Sequence, residues 1–440
     1  MRRALLVVLI VSVPATTVAA AEVTVQEVFL RAKPAVALVL SEVGAEVKLR
    51  CATGEVTVSP QPFRETSTGW FINADGWMIT SAHVVSATHR PPDWMRAQFA
   101  QKAARPGCRV GAVTFEPSVT VILSNGFRLP AVVAKSRLPV PGEAMSGRDL
   151  ALLKLEASDL PSLALGDSGA LKIGDRLHIL GFPGVVLTHE LLNASAKLEA
   201  SITNGAVSGF REDKTGQPVI QTDAPAAWGN SGGPAIDDQG RVVGVLTSVT
   251  PAPGEEDTIV QGFNFVIPAA AVREFVAGTE ARLDEPSRFN TAWHAALHDF
   301  FAGDHRRAAG ALAEANRLLP ELPDVIRVTA ENAEKIANPP PRPFPWALVA
   351  AGVSAVSLCA YGGLLGLRWR RNRFRIRATE VARMLDSPRP PAILDVRSAS
   401  AYARSPVRIP RALHVSAEAL EAGQGALAIE PDRTVVAYCT

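Results

Sequence analysis

Residues 343–367 contain no charged side chain, and the ten positions that follow, 368–377, carry six arginines. About 20 apolar residues are enough to cross the hydrocarbon core of a bilayer. The stretch reads as a transmembrane helix over 346–367, with Trp346 near one interface. A buried core helix is the alternative for such a composition, and the arginine-rich flank (368–377) argues against it. Positive charge stays on the cytoplasmic side of a membrane. Everything before the span is therefore expected outside the cytoplasm, and the C-terminus inside. The 440 residues suffice for two or three domains. At the N-terminus, Met1-Arg2-Arg3 precedes the apolar run Ala4–Val13, and Ala19-Ala20-Ala21 offers a small-residue cleavage site. Residues 1–21 have the form of a secretory signal peptide, with an uncleaved anchor as the alternative. The formal net charge is only +2, which carries no global signal for nucleic-acid binding.

The exported part holds one glycine-rich turn with a serine at its centre, Gly229-Asn230-Ser231-Gly232-Gly233-Pro234, between the strand-like runs Pro218–Thr222 and Val242–Thr247. A serine hydroxyl is a poor nucleophile. It needs a base to take its proton and donors to hold the oxyanion that forms. Two residues upstream fit the first need. His83 follows the hairpin pattern of Trp70–Ile72, the Asn73–Gly76 turn and Trp77–Thr80, and is expected in a Ser-Ala-His turn. Asp149 opens Leu150–Leu155, an apolar run that reads as a buried strand. A carboxylate there can hold an imidazole in one tautomer. The turn alone also fits the nucleophile elbow of α/β-hydrolases, but that fold expects a helix after the serine and a late histidine. Here Pro234 and a strand follow, and the order is His83, Asp149, Ser231.

Six segments taken in order resemble the HtrA/Deg branch of trypsin-like serine peptidases, over roughly Pro34 to Gly278. They are Ser67–Ile72, Ile79–Val85, Asp149–Lys154, Gln221–Ala224, Gly229–Pro234 and Gly262–Pro268. The resemblance implies a mainly β protease domain (22–278) of two packed antiparallel barrels with the active site between them. It implies Ser231 as nucleophile, His83 as general base, Asp149 as its orienter, and the backbone N–H groups of Gly229 and Ser231 as the oxyanion hole. It makes Leu165–Gly169 a structural stretch despite its Gly-Asp-Ser-Gly sequence. Ala226 falls near the substrate pocket, and with no acidic residue evident there a small or apolar P1 side chain is expected. Two departures stand out. The stretch from His83 to Asp149 is long, with an insertion around Pro91–Pro117. Trp228 precedes the oxyanion-hole glycine where the family carries something smaller or more polar, and is placed to narrow or cover the cleft. The family implies polypeptide substrates, no cofactor, and, by analogy, a homotrimer.

Cys51 and Cys108 flank the His83 hairpin on the exported side, where disulfides persist, and are expected to pair. Residues 279–338 read as helices resembling about one tetratricopeptide repeat, with a Gly303-Asp304 turn, and a helical spacer or docking hairpin is the plainer reading. His294, His298 and His305 lack a completing acidic motif, so no metal site is expected. Residues 339–345 form a proline-rich linker, and 368–377 a basic juxtamembrane segment. Cys359 in the span reads as a small apolar residue. Residues 378–440 resemble a rhodanese domain, with the strand Ala392–Arg397 and a second strand delivering Cys439 to the persulfide-forming position. The active-site loop that would follow Cys439 is not in the sequence, so this α/β domain is expected to be incomplete and inactive in sulfur transfer. The chain thus reads as a membrane-anchored, extracytoplasmic serine endopeptidase of a bacterial inner membrane, active in protein quality control or regulated proteolysis. The competing readings are a substrate-capture or sensor module on the same fold, and a sulfurtransferase-linked protein.

Overall fold

The computed structural model describes residues 23–137, 148–252, 255–283, 285–339, 344–424 and 427–439. The expected signal peptide and residues 340–343 of the linker lie outside the described residues. The chain divides into two compact units, Met1–Pro340 and Pro341–Thr440.

The first unit opens with α1 (Val25–Ala32), capped by the Thr24 side chain. Seven strands follow: β1 (Val36–Cys51), β2 (Gly54–Val58), β3 (Phe63–Phe71), β4 (Trp77–Thr80), β5 (Cys108–Ile122), β6 (Arg128–Arg137) and β7 (Leu150–Leu155). Their order is β2-β1-β3-β4-β7-β6-β5, and β1 also pairs with β5. That extra pairing closes six strands into a barrel and leaves β2 on an edge. The expected hairpin is β3–β4, in register Trp70↔Ile79. His83 does not sit in a turn: it is the second residue of α2 (Ala82–His89).

The insertion is an ordered lobe. Along β1 every residue of Val36–Val39 is buried, and beyond it only alternate ones, Ser41, Val43, Ala45, Val47 and Leu49. A strand with one apolar face needs a single cover. That cover is α3 (Asp93–Ala103), which contributes Met95, Phe99 and Ala103 to the same cluster. A disulfide joins Cys51 to Cys108, directly opposite each other at the end of the β1–β5 ladder.

The second barrel closes in the order β10-β13-β12-β11-β8-β9. Its strands are β8 (Arg176–Gly181), β9 (Ser201–Glu212), β10 (Pro218–Thr222), β11 (Pro234–Ile236), β12 (Val242–Ala252) and β13 (Glu255–Pro268). A single turn, α4 (Gly184–Leu187), follows β8, and α5 (Ala269–Val276) follows β13. The mainly β, two-barrel architecture implied by the resemblance is therefore present.

Three helices complete the unit: α6 (Arg288–Phe301), α7 (His305–Leu318) and α8 (Pro323–Ala337). The Ser287 hydroxyl caps α6, and Phe289, Trp293, Ala296, Leu297 and Phe300 form its buried stripe at helical spacing. Asp304 caps α7, and Pro323 starts α8. These helices do not stand apart as a spacer. Trp293, Leu297, Leu312 and Val325 share one core with Phe71, Val121 and Leu153 of the first barrel, and the Trp293 indole N–H donates to Leu30 O of α1 at 2.7 Å. Ion pairs reinforce the seam: Lys33 meets Asp324 at 3.0 Å, and Arg327 bridges Asp324 and Glu199 at 2.9 and 2.8 Å.

The second unit begins with α9 (Trp346–Asn372), of mean hydropathy 1.9 and with none of its apolar face buried. It is the one helix among the described residues that is long and apolar enough to cross a membrane. After α10 (Ala378–Leu385) come β14 (Ala392–Asp395), α11 (Ala399–Arg404), β15 (Leu413–His414), α12 (Ala417–Glu421) and β16 (Val435–Tyr438). The strands form a parallel sheet, β15-β14-β16. At the end of β14 the buried Asp395 carboxylate binds Arg397 and accepts from the Tyr438 hydroxyl at 2.7 Å. Cys439, directly after β16, is an exposed free thiol.

Removing the Trp293 side chain deletes a fully buried indole and orphans the Leu30 carbonyl. Trp293→Ala is expected to lower the stability of the first unit by about 3–5 kcal/mol, read as a shift in the urea midpoint. An unchanged midpoint would show that α6 is peripheral to the barrel core.

Candidate functional site

The site is built around one carboxylate. Asp149 lies just ahead of β7 and is completely buried. An ionised group so placed must find partners for its oxygens. It has three. The His83 ring, through Nδ1, lies 2.6 Å from Oδ2. The His83 backbone N–H donates to Oδ1 at 2.8 Å, and the Thr247 hydroxyl donates to Oδ2 at 2.7 Å. The backbone bond satisfies one of the open N–H groups at the start of α2, where Ser81 makes no side-chain cap.

The electrostatics follow from this contact. Burial would push the Asp149 carboxyl up, but the His83 charge and the hydrogen bonds from His83 and Thr247 outweigh it and hold it below the ordinary carboxylate value. Burial alone would pull His83 down. The Asp149 charge, its hydrogen bond and the charge of Glu65 carry it above the ordinary histidine value. About a third of the His83 side chain, 32%, remains exposed.

The serine turn reaches this pair across the barrel seam. Thr68 of β3 is the link, donating its N–H to Ser231 O at 3.1 Å and its hydroxyl to Gly229 O at 2.8 Å. The Thr68 hydroxyl also accepts from Phe182 N–H at 2.9 Å. On the far side Gly232 N–H donates to Leu246 O at 2.7 Å, one residue before Thr247. The turn needs its glycines. Gly229 has φ +98°, and a Cβ there would come 2.4 Å from Phe182 O. Gly232 has φ +83°, and its Cβ would meet Thr68 O at 2.3 Å.

The Trp228 carbonyl accepts from Gly184 N–H at 2.6 Å. In a trans peptide the N–H points opposite to the carbonyl, so Gly229 N–H is turned away from that contact. Among the described residues neither Gly229 N–H nor Ser231 N–H has an acceptor. Ser231 is nearly buried, yet its hydroxyl makes no hydrogen bond among them. Ala226 is buried in the core of the second barrel with Val207, Ile220 and Val266, and Trp228 is half exposed at 47%. His294, in a cavity of about 270 Å³ beside Glu285 and Asn290, is pushed down to about 4 by burial and by the Arg31 charge. His305 Nδ1 is 3.0 Å from Asn332 Oδ1.

Residues 67–245 match the trypsin-like peptidase domain. Residues 377–440 match the rhodanese-like domain. Serine protease HTRA4 of Homo sapiens is 29% identical over 214 residues, covering 48% of this chain and 34% of that protein. The probable periplasmic serine endoprotease DegP-like of Halomonas elongata is 27% identical over 208 residues, 47% of this chain and 33% of its own length. The chain thus spans about a third of the length of these relatives. The solved HtrA-type protease AlgW with a decapeptide aligns over 57% of this chain and 66% of that one, at 23% identity and a TM-score of 0.36.

Thr68 and Thr247 were not singled out from the sequence. Each is an ordinary strand threonine until the barrels meet. Asp149→Asn keeps the shape but favours the wrong imidazole tautomer. Fluorophosphonate labelling of Ser231 is expected to slow by about 10⁴-fold, and labelling at the parent rate would remove Asp149 from the site.

Proposed function

We propose that the chain is a membrane-anchored serine endopeptidase acting outside the cytoplasm. The observation that carries this reading is the buried Asp149 carboxylate on His83 Nδ1, beside a serine turn with two N–H groups that have no acceptor among the described residues. In the proposed reaction His83 Nε2 takes the Ser231 proton as Oγ attacks the scissile carbonyl. Asp149 holds the tautomer and stabilises the imidazolium, and Gly229 and Ser231 N–H receive the oxyanion. His83 then protonates the leaving amine, and water releases the acyl group. Polypeptides are the substrates, with a small or apolar P1 residue beside Ala226 and an approach narrowed by Trp228. The role is protein quality control or regulated proteolysis, with a homotrimer as the assembly. The helix α9 is the anchor, and the arginines of 368–377 put the C-terminus in the cytoplasm of a bacterial inner-membrane protein. Export is consistent with the Cys51–Cys108 disulfide. The rhodanese-like segment lies on the cytoplasmic side, with Cys439 reduced.

A fluorophosphonate probe is expected to label Ser231, and both labelling and casein turnover are expected to vanish in Ser231→Ala. Turnover surviving that change would overturn the assignment. One observation favours a second reading, a peptide-capture module: Ser231 Oγ makes no hydrogen bond to His83. Peptide binding without turnover would select it.

The base works only when neutral. Because His83 lies above the ordinary histidine value of about 6.5, activity is expected to fall as pH drops through a midpoint higher than that. A pH profile of kcat/KM with its acidic midpoint below the ordinary value would contradict the geometry.

A further inference from the structure

Glu65 is a half-buried carboxylate on β3 that none of the roles above uses. Its position in the ladder shows where it faces. Glu65 pairs directly with Ser41 of β1, and cross-strand partners lie on the same face of a sheet. Alternate residues of one strand also share a face, so Ser41 faces with Val39 and Val43. Val39 belongs to the cluster that contains Ala82, Val84 and Val85 of α2, and Val43 to the one that contains Ala87. Helix α2 packs against both β1 and β3. Glu65 therefore lies on the face that α2 covers, and α2 carries His83. Three residues further along β3, Thr68 holds the serine turn. No lysine or arginine pairs with Glu65 among the described residues, and its carboxylate makes no hydrogen bond there.

We propose that Glu65 is a positioning residue of the site, a second carboxylate that stabilises the His83 imidazolium from the β3 side. Asp149 holds the ring through Nδ1. Glu65 adds negative charge without occupying a ring nitrogen, so Nε2 stays free to take the Ser231 proton. The charges facing His83 are those of Asp149, ahead of β7, and Glu65, on β3. The two effects are reciprocal. Burial pushes the Glu65 carboxyl up and the His83 charge pulls it back, while the Glu65 charge helps to raise His83. A half-buried carboxylate that pairs with no lysine or arginine among the described residues has a reason to favour the charged ring. This role rests on the peptidase reading only for its effect on rate; its effect on the ring does not need turnover.

The test measures the ring directly. Diethylpyrocarbonate modifies only neutral imidazole, so the pH dependence of His83 carbethoxylation, followed by peptide mass spectrometry on the full chain, reports its titration. In a Ser231→Ala background, Glu65→Gln is expected to move that midpoint to lower pH, and Glu65→Lys further still, while Glu65→Asp stays near the parent. With Ser231 intact, Glu65→Gln is expected to move the acidic limb of fluorophosphonate inactivation the same way and to lower the plateau rate by up to about tenfold. Matched melting temperatures separate this from misfolding. A His83 midpoint in Glu65→Gln equal to the parent's overturns the proposal, whatever the rate does. A shifted midpoint in a chain that turns over no peptide keeps the proposal and removes the peptidase reading instead.

Discussion

A single buried carboxylate holds the site together. Asp149 is enclosed completely, and one of its partners, Thr247, comes from the second barrel while His83 comes from the first. A buried ionised group left unpaired is strongly destabilising, by about 3–5 kcal/mol when one partner is removed. The barrels therefore cannot slide or separate locally without exposing that penalty. The same contact orders the chain on both sides: it caps α2 through the His83 N–H, and it fixes the imidazole ring. The serine turn is then hung from neighbouring strands, by Thr68 on one side and Leu246 on the other. The geometry of the candidate site and the packing between the barrels are in this sense one set of hydrogen bonds.

The elements added to the two barrels are parts of the same body. The long ends of β1 and β5 leave the barrel and make a small core of their own under α3, tied at its far end by Cys51–Cys108. The helices α6–α8 bury their apolar faces in one core with Phe71, Val121 and Leu153 of the first barrel, and their charged residues reach Lys33 and Glu199. Glu199 lies in the segment after β8 that also contains Gly184, the donor to the Trp228 carbonyl. The helical layer and the serine turn are thus connected through one stretch of chain, residues 182–200.

Much of this was legible locally. The Asn73–Gly76 hairpin turn is written in turn chemistry that depends on near neighbours alone. So is the serine turn, whose Gly229 and Gly232 take positive φ that other residues rarely adopt. The run Leu150–Leu155 announced a buried strand, with Asp149 at its mouth as a carboxylate able to hold an imidazole; that Asp149 is itself fully enclosed came only from the fold. Other features were not legible. The sequence reading puts His83 in a turn, yet it enters a helix: Ser81 stands at the N-cap position without capping through its side chain, and the His83 N–H is met by a carboxylate 66 positions away. Trp293 fits any amphipathic helix, and only the barrel wall and Leu30 show what it packs on. Thr68, Thr247 and Glu65 are unremarkable strand residues whose partners lie on other strands.

The sequence by itself determined the chemistry available: one serine in a glycine turn, a histidine and an aspartate in a telling order, and one uncharged stretch long enough for a membrane. These depend on residue type and short spacing, which survive without a fold. The tertiary structure decided how that chemistry is held. Closing the first barrel puts β3 beside β1 and under α2, and docking the second brings Thr247 onto Asp149. Those contacts join residues far apart in the chain, so their energies exist only once both barrels have closed.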